Sequence, residues 1–414
     1  MTYVDRTKHS RNQHLTFKAN QGVGRHGWLR LTPAYGVKLV RERISHMPAG
    51  SVITDPFSGT GTTPLAAAEL GHTGQSIDLN PFLIWLGRTK TRHYSDEALE
   101  VAREAVSAVT SSARTTLDEP SLWQPNIYKI EKWWTPSALR ALRSIRHAID
   151  ERGIRDEATD LLEIALCRTL IARSSAAFNH QSMSFKAVED SEGLFDLDDA
   201  EDTLTTFSRK AAESVASAAY DLIGDAKIVR GDSRTPPPEL EPCDLLLTSP
   251  PYVNRMSYIR ELRPYMYWLR FLDDAKEAGT LDWQAIGGTW GTATSNLNTW
   301  KPETETPVAA EMALICEAIA ADGGKNGPLL STYVHKYFHD MWIHFQAITA
   351  KVKVGGSVSY IVGNSTFYGH VVPAQEWYAA MLKELGYANI AVDTIRKRNS
   401  NKALYEYDVR GTRT

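Results

Sequence analysis

Two short stretches hold residues whose types and spacing could do chemistry: 55-DPFSGTGTT-63 and 245-LLLTSPPYVNRMSY-258. In the first, Ser58, Gly59 and Gly61 are small residues where the chain turns sharply and a ligand can approach the backbone. Asp55, Pro56, Phe57, Thr60, Thr62 and Thr63 complete that turn. In the second, an apolar run ends in Thr248 and Ser249, and Pro250, Pro251 and Tyr252 follow back to back. Two prolines stop a strand where a sheet would need amide donors. The result is a stiff turn with a hydroxyl on one side and an aromatic ring on the other.

Asp78 ends a short segment beyond the glycine turn, where a carboxylate can take both hydroxyls of a ribose. Asn80, just after it, is grouped with the same site. Lys90 and Arg92 lie further on and read as ordinary surface charges. Gly231-Asp232-Ser233 offers another acid, placed to accept an adenine amino group, although a turn that merely caps a strand would look the same. A P-loop cradle needs Gly-Lys-Ser/Thr after its turn, and Gly61-Thr62-Thr63 has no lysine. The expected ligand is an adenosine without a pyrophosphate, which S-adenosylmethionine satisfies. A nicotinamide cofactor stays open on the glycine turn alone.

These residues need elements to hold them. Thr32-Pro33 reads as a helix N-cap followed by proline at the first helical position, and Val37, Val40, Ile44 and Met47 follow at helical spacing. A strand at 51–54, the glycine turn, an alanine-rich helix at 65–70 and a strand at 74–77 ending in Asp78 come next. That order opens a doubly wound α/β sheet. Later strands are expected at 227–229, 245–248 and 357–362, with a closing antiparallel pair at 390–397 and 404–409. Residues 86–225 form an insert with helical spacing over 96–109, 135–150 and 156–174, and 274–328 reads as a smaller irregular insert. The division expected is therefore an arm and cofactor-side helix at 1–48, and a discontinuous catalytic domain at 49–85 and 226–414. The large insert is the candidate target-recognition region.

Composition bounds the class. The chain has 414 residues, 43% hydrophobic and 23% charged, which suits a globular protein of more than one lobe. Cys167, Cys243 and Cys316 are far apart, show no metal or disulfide spacing, and fit a reducing cytoplasm. The opening MTYVDRTKHSRNQH has no apolar core for a signal peptide, and no run is long enough to span a membrane, so a cytoplasmic protein is expected. Net charge is −3, yet Arg6, Lys8, Arg11, Lys18, Arg25 and Arg30 crowd the start, and Arg396-Lys397-Arg398 with Lys402 lie near the end. Solvated tails or phosphate contacts would both give such clusters. His335 and His339 have metal-compatible spacing on a helix, but a solvent face explains them and no metal is expected. Cys243 precedes its strand rather than following it, so it reads as structural and not as a nucleophile.

The two motifs, in this order, resemble those of the DNA amino-methyltransferases, the cytosine-N4 and adenine-N6 family. Its cofactor motif has the form DPFxGSGTT and its catalytic motif is Ser/Asp/Asn-Pro-Pro-Tyr/Phe, which here read 55-DPFSGTGTT-63 and 249-SPPY-252. The segments 337-YFHDMW-342, 355-GGSVSYIVGNS-365 and 393-DTIRKRNSNKALYEY-407 also look like this family. The likeness covers residues 32–84 and about 226–410; the two inserts are not matched. It implies a Rossmann-like class I methyltransferase fold with a mostly parallel seven-stranded sheet and a closing antiparallel strand. It also implies S-adenosylmethionine as donor and double-stranded DNA with a flipped base as substrate. Thr32 and Tyr35 should then lie over the methionine half of the cofactor.

An exocyclic amine is a poor nucleophile because its lone pair is delocalised into the ring. Acceptors aimed at its hydrogens, here Ser249 Oγ and the Pro250 carbonyl, would point that pair at the methyl group, and the prolines would hold them rigidly. Tyr252 offers a stacking face for an extruded base. The sulfonium is already activated, so neither metal nor covalent intermediate is required. Serine at the first catalytic position leans towards cytosine-N4 over adenine-N6. RNA guanine-N2 methylation and an inactive nucleic-acid-binding subunit remain alternatives, and a cognate restriction endonuclease is a possible partner. In the insert, Arg173, Asn179, His180, Gln181 and Lys186 are candidates to reach base edges or phosphates, as a polar interhelical loop would also provide.

Overall fold

The computed structural model describes residues 17–29, 35–177, 184–185, 195–289, 291–398 and 403–414. Seven strands form the main sheet: β1 (Val52–Asp55), β2 (Thr73–Asp78), β3 (Ala226–Arg230), β4 (Cys243–Thr248), β5 (Val352–Gly363), β6 (Tyr387–Lys397) and β7 (Tyr405–Arg413). Their spatial order is β6-β7-β5-β4-β1-β2-β3. Strands β1 to β5 pair in parallel, and β7 runs antiparallel to both β5 and β6. The sequence expectation of a mostly parallel seven-stranded Rossmann-like sheet with a closing antiparallel strand is thus met. The strand order reverses at β1, with β2 on one side and β4 on the other, so the carboxyl ends of β1 and β4 flank the switch-point crevice where such sheets bind ligands.

Period-two alternation explains why β4 sits at the centre. Leu245 and Leu247 face one side, against helix α1 (Val37–Ile44) and Ala66 and Ala67 of α2 (Thr62–Glu69). Leu246 faces the other side, against a layer that includes Phe338, Phe345, Trp377 and Tyr378. A strand covered on both faces needs a continuous apolar run, which Leu245-Leu246-Leu247 supplies. Helix α1 starts at Val37 rather than after Pro33. Its first amide is capped from a distance by Asn20 Oδ1 at 2.8 Å. Thr32 and Pro33 lie outside the described residues.

Helix α3 (Pro81–Thr91) follows β2 and leads into the insert. Helices α4 (Asp96–Thr115), α5 (Pro136–Asp150), α6 (Glu157–Ala172) and α7 (Phe195–Ala218) pack into a bundle with its own core, which includes Trp133 and Trp134. Thr135 and Asp156 cap α5 and α6 through side-chain oxygens. Arg25, counted above among the basic residues of the arm, is buried instead. Its guanidinium donates to the carbonyls of Lys90 (3.0 Å), Arg92 (2.6 Å), Ala218 (2.6 Å) and Tyr220 (2.7 Å). It thereby ties together the chain entering and leaving the bundle.

The segment 274–328 is more regular than its Gly, Thr and Asn content suggested. After α8 (Tyr258–Trp268) it forms α9 (Ala275–Gln284), α10 (Thr292–Asn296) and α11 (Ala309–Asp322). The following helix α12 (Gly327–Thr349) is buried on most sides, so His339 is not solvent-facing as expected. Its Nε2 accepts the Glu303 amide at 3.0 Å, and Trp300 lies edge-on to it. Among the described residues no group of three potential metal ligands comes together. Cys167, Cys243 and Cys316 are free and buried. No helix among the described residues is long and apolar enough to cross a membrane.

Candidate functional site

Strand β1 ends at Asp55, which has no solvent exposure. Its carboxylate accepts the Phe57 amide (3.0 Å) and the Thr248 hydroxyl (2.6 Å) on one oxygen, and the Tyr35 hydroxyl (3.1 Å) on the other. Burial pushes the Asp55 pKa up, while these donors hold it back. Tyr35 also bonds Thr63 at the start of α2. Asp55 therefore joins the ends of β1 and β4 to the turn between them. The turn itself needs left-handed backbone at Gly59 (φ 50°) and Gly61 (φ 71°). Gly61 donates its amide to Ser58 at 2.8 Å and serves as the N-cap position of α2.

One correction concerns a cation near this turn. Lys90 is not a surface charge: it is wholly buried, and its amine donates to the Thr60 carbonyl at 2.9 Å. Desolvation lowers its pKa to about 7, with Glu69 pulling the other way. Arg92 pairs with Asp160 at 2.9 Å.

Asp78, at the end of β2, accepts the Gly59 amide (3.0 Å) and the Asn80 amide (2.9 Å), one on each oxygen. It thus props the glycine turn while its open side faces a cleft. Dense packing around the carboxylate raises its pKa to about 7, opposed by the two amides. Asn80 caps α3 by accepting the Phe82 amide at 3.0 Å. Asp232, after β3, is gripped by Arg234 through Nε (3.0 and 3.1 Å) and Nη2 (2.7 Å). Arg234 also reaches Asp340 (3.3 Å) and the Gln284 carbonyl (2.6 Å), so it fastens α9 and α12 beneath this end of the cleft. His344 supports Ser233 from below, with Nδ1 3.2 Å from its carbonyl, and burial lowers the imidazole pKa to about 3.

The cleft encloses about 950 Å³ of empty space, mouth included. Among the candidates, Tyr35, Pro56, Phe57, Ser58, Gly59, Thr60, Thr62, Asp78, Asn80, Asp232, Ser233, Ser249 and Pro251 line it. The glycine turn and the SPPY loop, far apart in sequence, thus face one cavity. Leu281, Ala285 and Ile286, from α9 and just beyond it, form part of its wall. Among the described residues the lining holds two carboxylates, Asp78 and Asp232, and no lysine or arginine.

The SPPY loop differs from expectation at two positions, since Pro250, which is buried, and Tyr252 are both missing from the residues lining the cleft. Tyr252 is 5% exposed, its hydroxyl donates to Glu406 at 2.8 Å, and the Arg398 guanidinium lies 5.2 Å from its ring centroid. It is not among the residues lining the cleft. Tyr258 lines it instead, because the Ser257 side chain caps α8 and starts the helix one residue earlier. Its position in the quoted stretch was visible, but not that its ring would enter the cleft. The Pro251 carbonyl accepts the Tyr337 hydroxyl at 2.6 Å, which pins the loop from α12.

Three of the four expected nucleic-acid contacts among the described residues are committed within the protein. Arg173 pairs with Asp199, Arg396 with Glu406, and Arg398 bonds the carbonyls of Tyr405 and Asn364. Lys397 is exposed on β6. Asn179, His180, Gln181, Lys186 and Lys402 lie outside the described residues.

Fold and site define a Rossmann-like α/β protein with a nucleoside-sized cleft over its switch point. No family model matches the chain. The Type II methyltransferase M.BsoBI of Geobacillus stearothermophilus is 21% identical over 449 aligned positions, covering 97% of this chain and 86% of that protein. The rRNA methyltransferase aviRa from Streptomyces viridochromogenes overlays with a TM-score of 0.28 and 8% identity, over 92% of this chain and 87% of that one. A second structure of it gives a TM-score of 0.25 and 9% identity, over 91% and 86%. The likeness to M.BsoBI along nearly the whole chain supports a methyltransferase.

Proposed function

We propose that this protein is an S-adenosylmethionine-dependent DNA methyltransferase that modifies the exocyclic amine of a flipped base, with cytosine-N4 as the target. The observation that carries this reading is the cleft: glycine turn and SPPY loop share one cavity whose charged lining, among the described residues, consists of two acids and no base. That donor set suits a cationic nucleoside and opposes a pyrophosphate. In this reading Asp78, which also holds the Gly59 amide, takes the ribose hydroxyls, and Asp232, steadied by Arg234, takes the adenine amine. When bound, S-adenosylmethionine supplies a methyl group on a sulfonium, whose carbon–sulfur bond breaks with its electron pair left on sulfur.

The chain's own part is orientation. Ser249 Oγ and the Pro250 carbonyl accept the amine hydrogens and direct the nitrogen pair at the methyl carbon. A nitrogen–carbon bond forms, and the nitrogen then releases one proton to water. Preorganised acceptors of this kind are worth about 10²–10³ in rate. Tyr258, which lines the cleft beside Ser249 and Pro251, offers the base an aromatic wall. The helical insert, residues 86–225, is assigned to target recognition, and a type II relative supports a role beside a restriction enzyme.

The test is to express the protein, digest host DNA and RNA to nucleosides, and identify any new methylated species by mass spectrometry. N4-methylcytosine in DNA is expected, formed about 10²–10³-fold more slowly with Ser249→Ala, whose cofactor affinity stays within about two-fold of wild type. N6-methyladenine would move the target base, and N2-methylguanine in RNA would replace the DNA reading. Cofactor binding with no methylated product would mark an inactive binding subunit.

A further inference from the structure

Asp232, the acid proposed for the adenine amine, is aimed by one peptide unit that is gripped at both ends. At the amide end, Arg234 N–H donates to Asp232 Oδ1 at 2.9 Å. At the carbonyl end, Ser233 O lies 3.2 Å from His344 Nδ1. A peptide unit is planar and stiff, so what fixes its carbonyl also fixes the direction of its amide. Together with Nε and Nη2 of Arg234, that amide brings three protons to a carboxylate that has about four acceptor sites. One site is left, and its direction follows from the other three.

His344 reaches this unit from α12 and has no solvent exposure. Its ring packs against Phe57, centroids 4.8 Å apart, and Phe57 belongs to the glycine turn and lines the cleft. Its other nitrogen, Nε2, lies 2.9 Å from the Tyr360 hydroxyl on β5. Hydrogen-bond inventory assigns the protons. A carbonyl only accepts, so Nδ1 carries the ring proton and donates it to Ser233. Burial keeps the imidazole neutral, its pKa lowered to about 3, so Nε2 offers a lone pair and Tyr360 donates to it. Both nitrogens are thereby satisfied among Phe57, Phe345 and Tyr360, where an unpaired one would be costly. Tyr360 stands opposite Thr248 in the β4–β5 register, and Thr248 donates to Asp55. One imidazole thus touches the Asp232 turn, the glycine turn and the strand beside the one that leads into the SPPY loop.

We infer that His344 is a positioning residue: held with its proton on Nδ1 by Tyr360, it sets the Ser233–Arg234 peptide so that the last free acceptor of Asp232 faces the exocyclic amine of the cofactor's adenine. This rests on the cofactor reading above and adds the residue that gives the cleft its preference for adenine. His344 belongs to neither motif.

The test is isothermal titration of the purified full-length protein with S-adenosylhomocysteine and with S-inosylhomocysteine, in which a carbonyl replaces the adenine amine. Wild type is expected to prefer the adenosine ligand by about ten-fold or more. His344→Phe keeps an aromatic ring of similar size and removes both nitrogens. It is expected to weaken the adenosine ligand about ten-fold and the inosine ligand by less than about two-fold, so that the preference collapses. His344→Asn, whose amide nitrogen can take the place of Nδ1, is expected to restore most of it. A general loosening of the fold would weaken both ligands alike and leave their ratio untouched. Should His344→Phe fail to fold, His344→Leu takes its place. Equal losses for the two ligands, a variant that keeps the wild-type ratio, or a wild type that binds both alike overturns the inference and leaves the cofactor reading standing. A wild-type protein that binds neither ligand overturns both.

Discussion

Replacing Lys90 by methionine is expected to stabilise the protein and weaken its cofactor turn. Lys90 is wholly buried on α3, and its amine meets the Thr60 carbonyl at 2.9 Å. Desolvation lowers its pKa from 10.5 to about 7. That drop corresponds to a burial cost of up to about 5 kcal/mol, present in full at and below pH 7. Between pH 7 and 10.5 the unfolded chain holds a proton that the native amine has released, so this group makes stability rise with pH. Methionine has nearly the same length, no charge and no hydrogen bond to give. After about 1–2 kcal/mol for the lost bond to Thr60, the variant should be about 3 kcal/mol more stable at pH 7. Its advantage should shrink as pH approaches 10. Thermal unfolding of both proteins at several pH values measures this. KM for S-adenosylmethionine should rise about three- to ten-fold, because the Thr60 carbonyl loses its tether. A variant that is less stable at every pH, by a constant gap, would refute the reasoning that desolvation outweighs the bond.

Two further expectations come from the site and its frame. Asp78→Asn puts an amide donor against the amide of Gly59 or Asn80, each now bonded to a carboxylate oxygen; KM for the cofactor should rise about 10–100-fold. Because the Asp78 carboxyl is raised to about 7, wild-type cofactor affinity should fall as pH drops through 7 and the acid protonates, and the asparagine variant should lack that step. Arg25→Met leaves the carbonyls of Lys90, Arg92, Ala218 and Tyr220 without their donor. It should cost about 3 kcal/mol in denaturant unfolding and expose the bundle junctions to limited proteolysis.

The strands and the glycine turn were legible because each is fixed by neighbours in sequence. Leu245 to Leu247 had to be a central strand, and Gly59 and Gly61 had to turn. The bundle helices α4 to α6 were legible by periodicity, whereas α11 was hidden in a segment whose other parts are rich in turn formers. The cations were misread for a common reason. Arg25, Lys90 and Arg398 are each bonded to carbonyls brought close only by the fold. Local spacing marks a lysine or arginine as surface by default, since burial needs a partner that the spacing does not reveal. The burial of Tyr252 was illegible in the same way: its partner Glu406 is 154 positions away in the chain.

The placement of charge also bears on how a substrate could enter. Among the described residues Asp78 and Asp232 line the cleft with no lysine or arginine; Arg234 pairs with Asp232 from outside the lining, so a phosphate brought inside would meet Asp78 with no cation beside it in a poorly solvated space. At about 4 Å and an effective dielectric near 20, that pair is repulsive by about 4 kcal/mol once Asp78 is ionised. A neutral base meets no such barrier and gains contact with Tyr258 and the apolar wall of Leu281 and Ile286. In the reading proposed above, the sugar–phosphate backbone then stays at the mouth while the heterocycle alone passes in. On the proposed function, extrusion of the base from its stack is required by the electrostatics of this pocket as well as by the reach of Ser249.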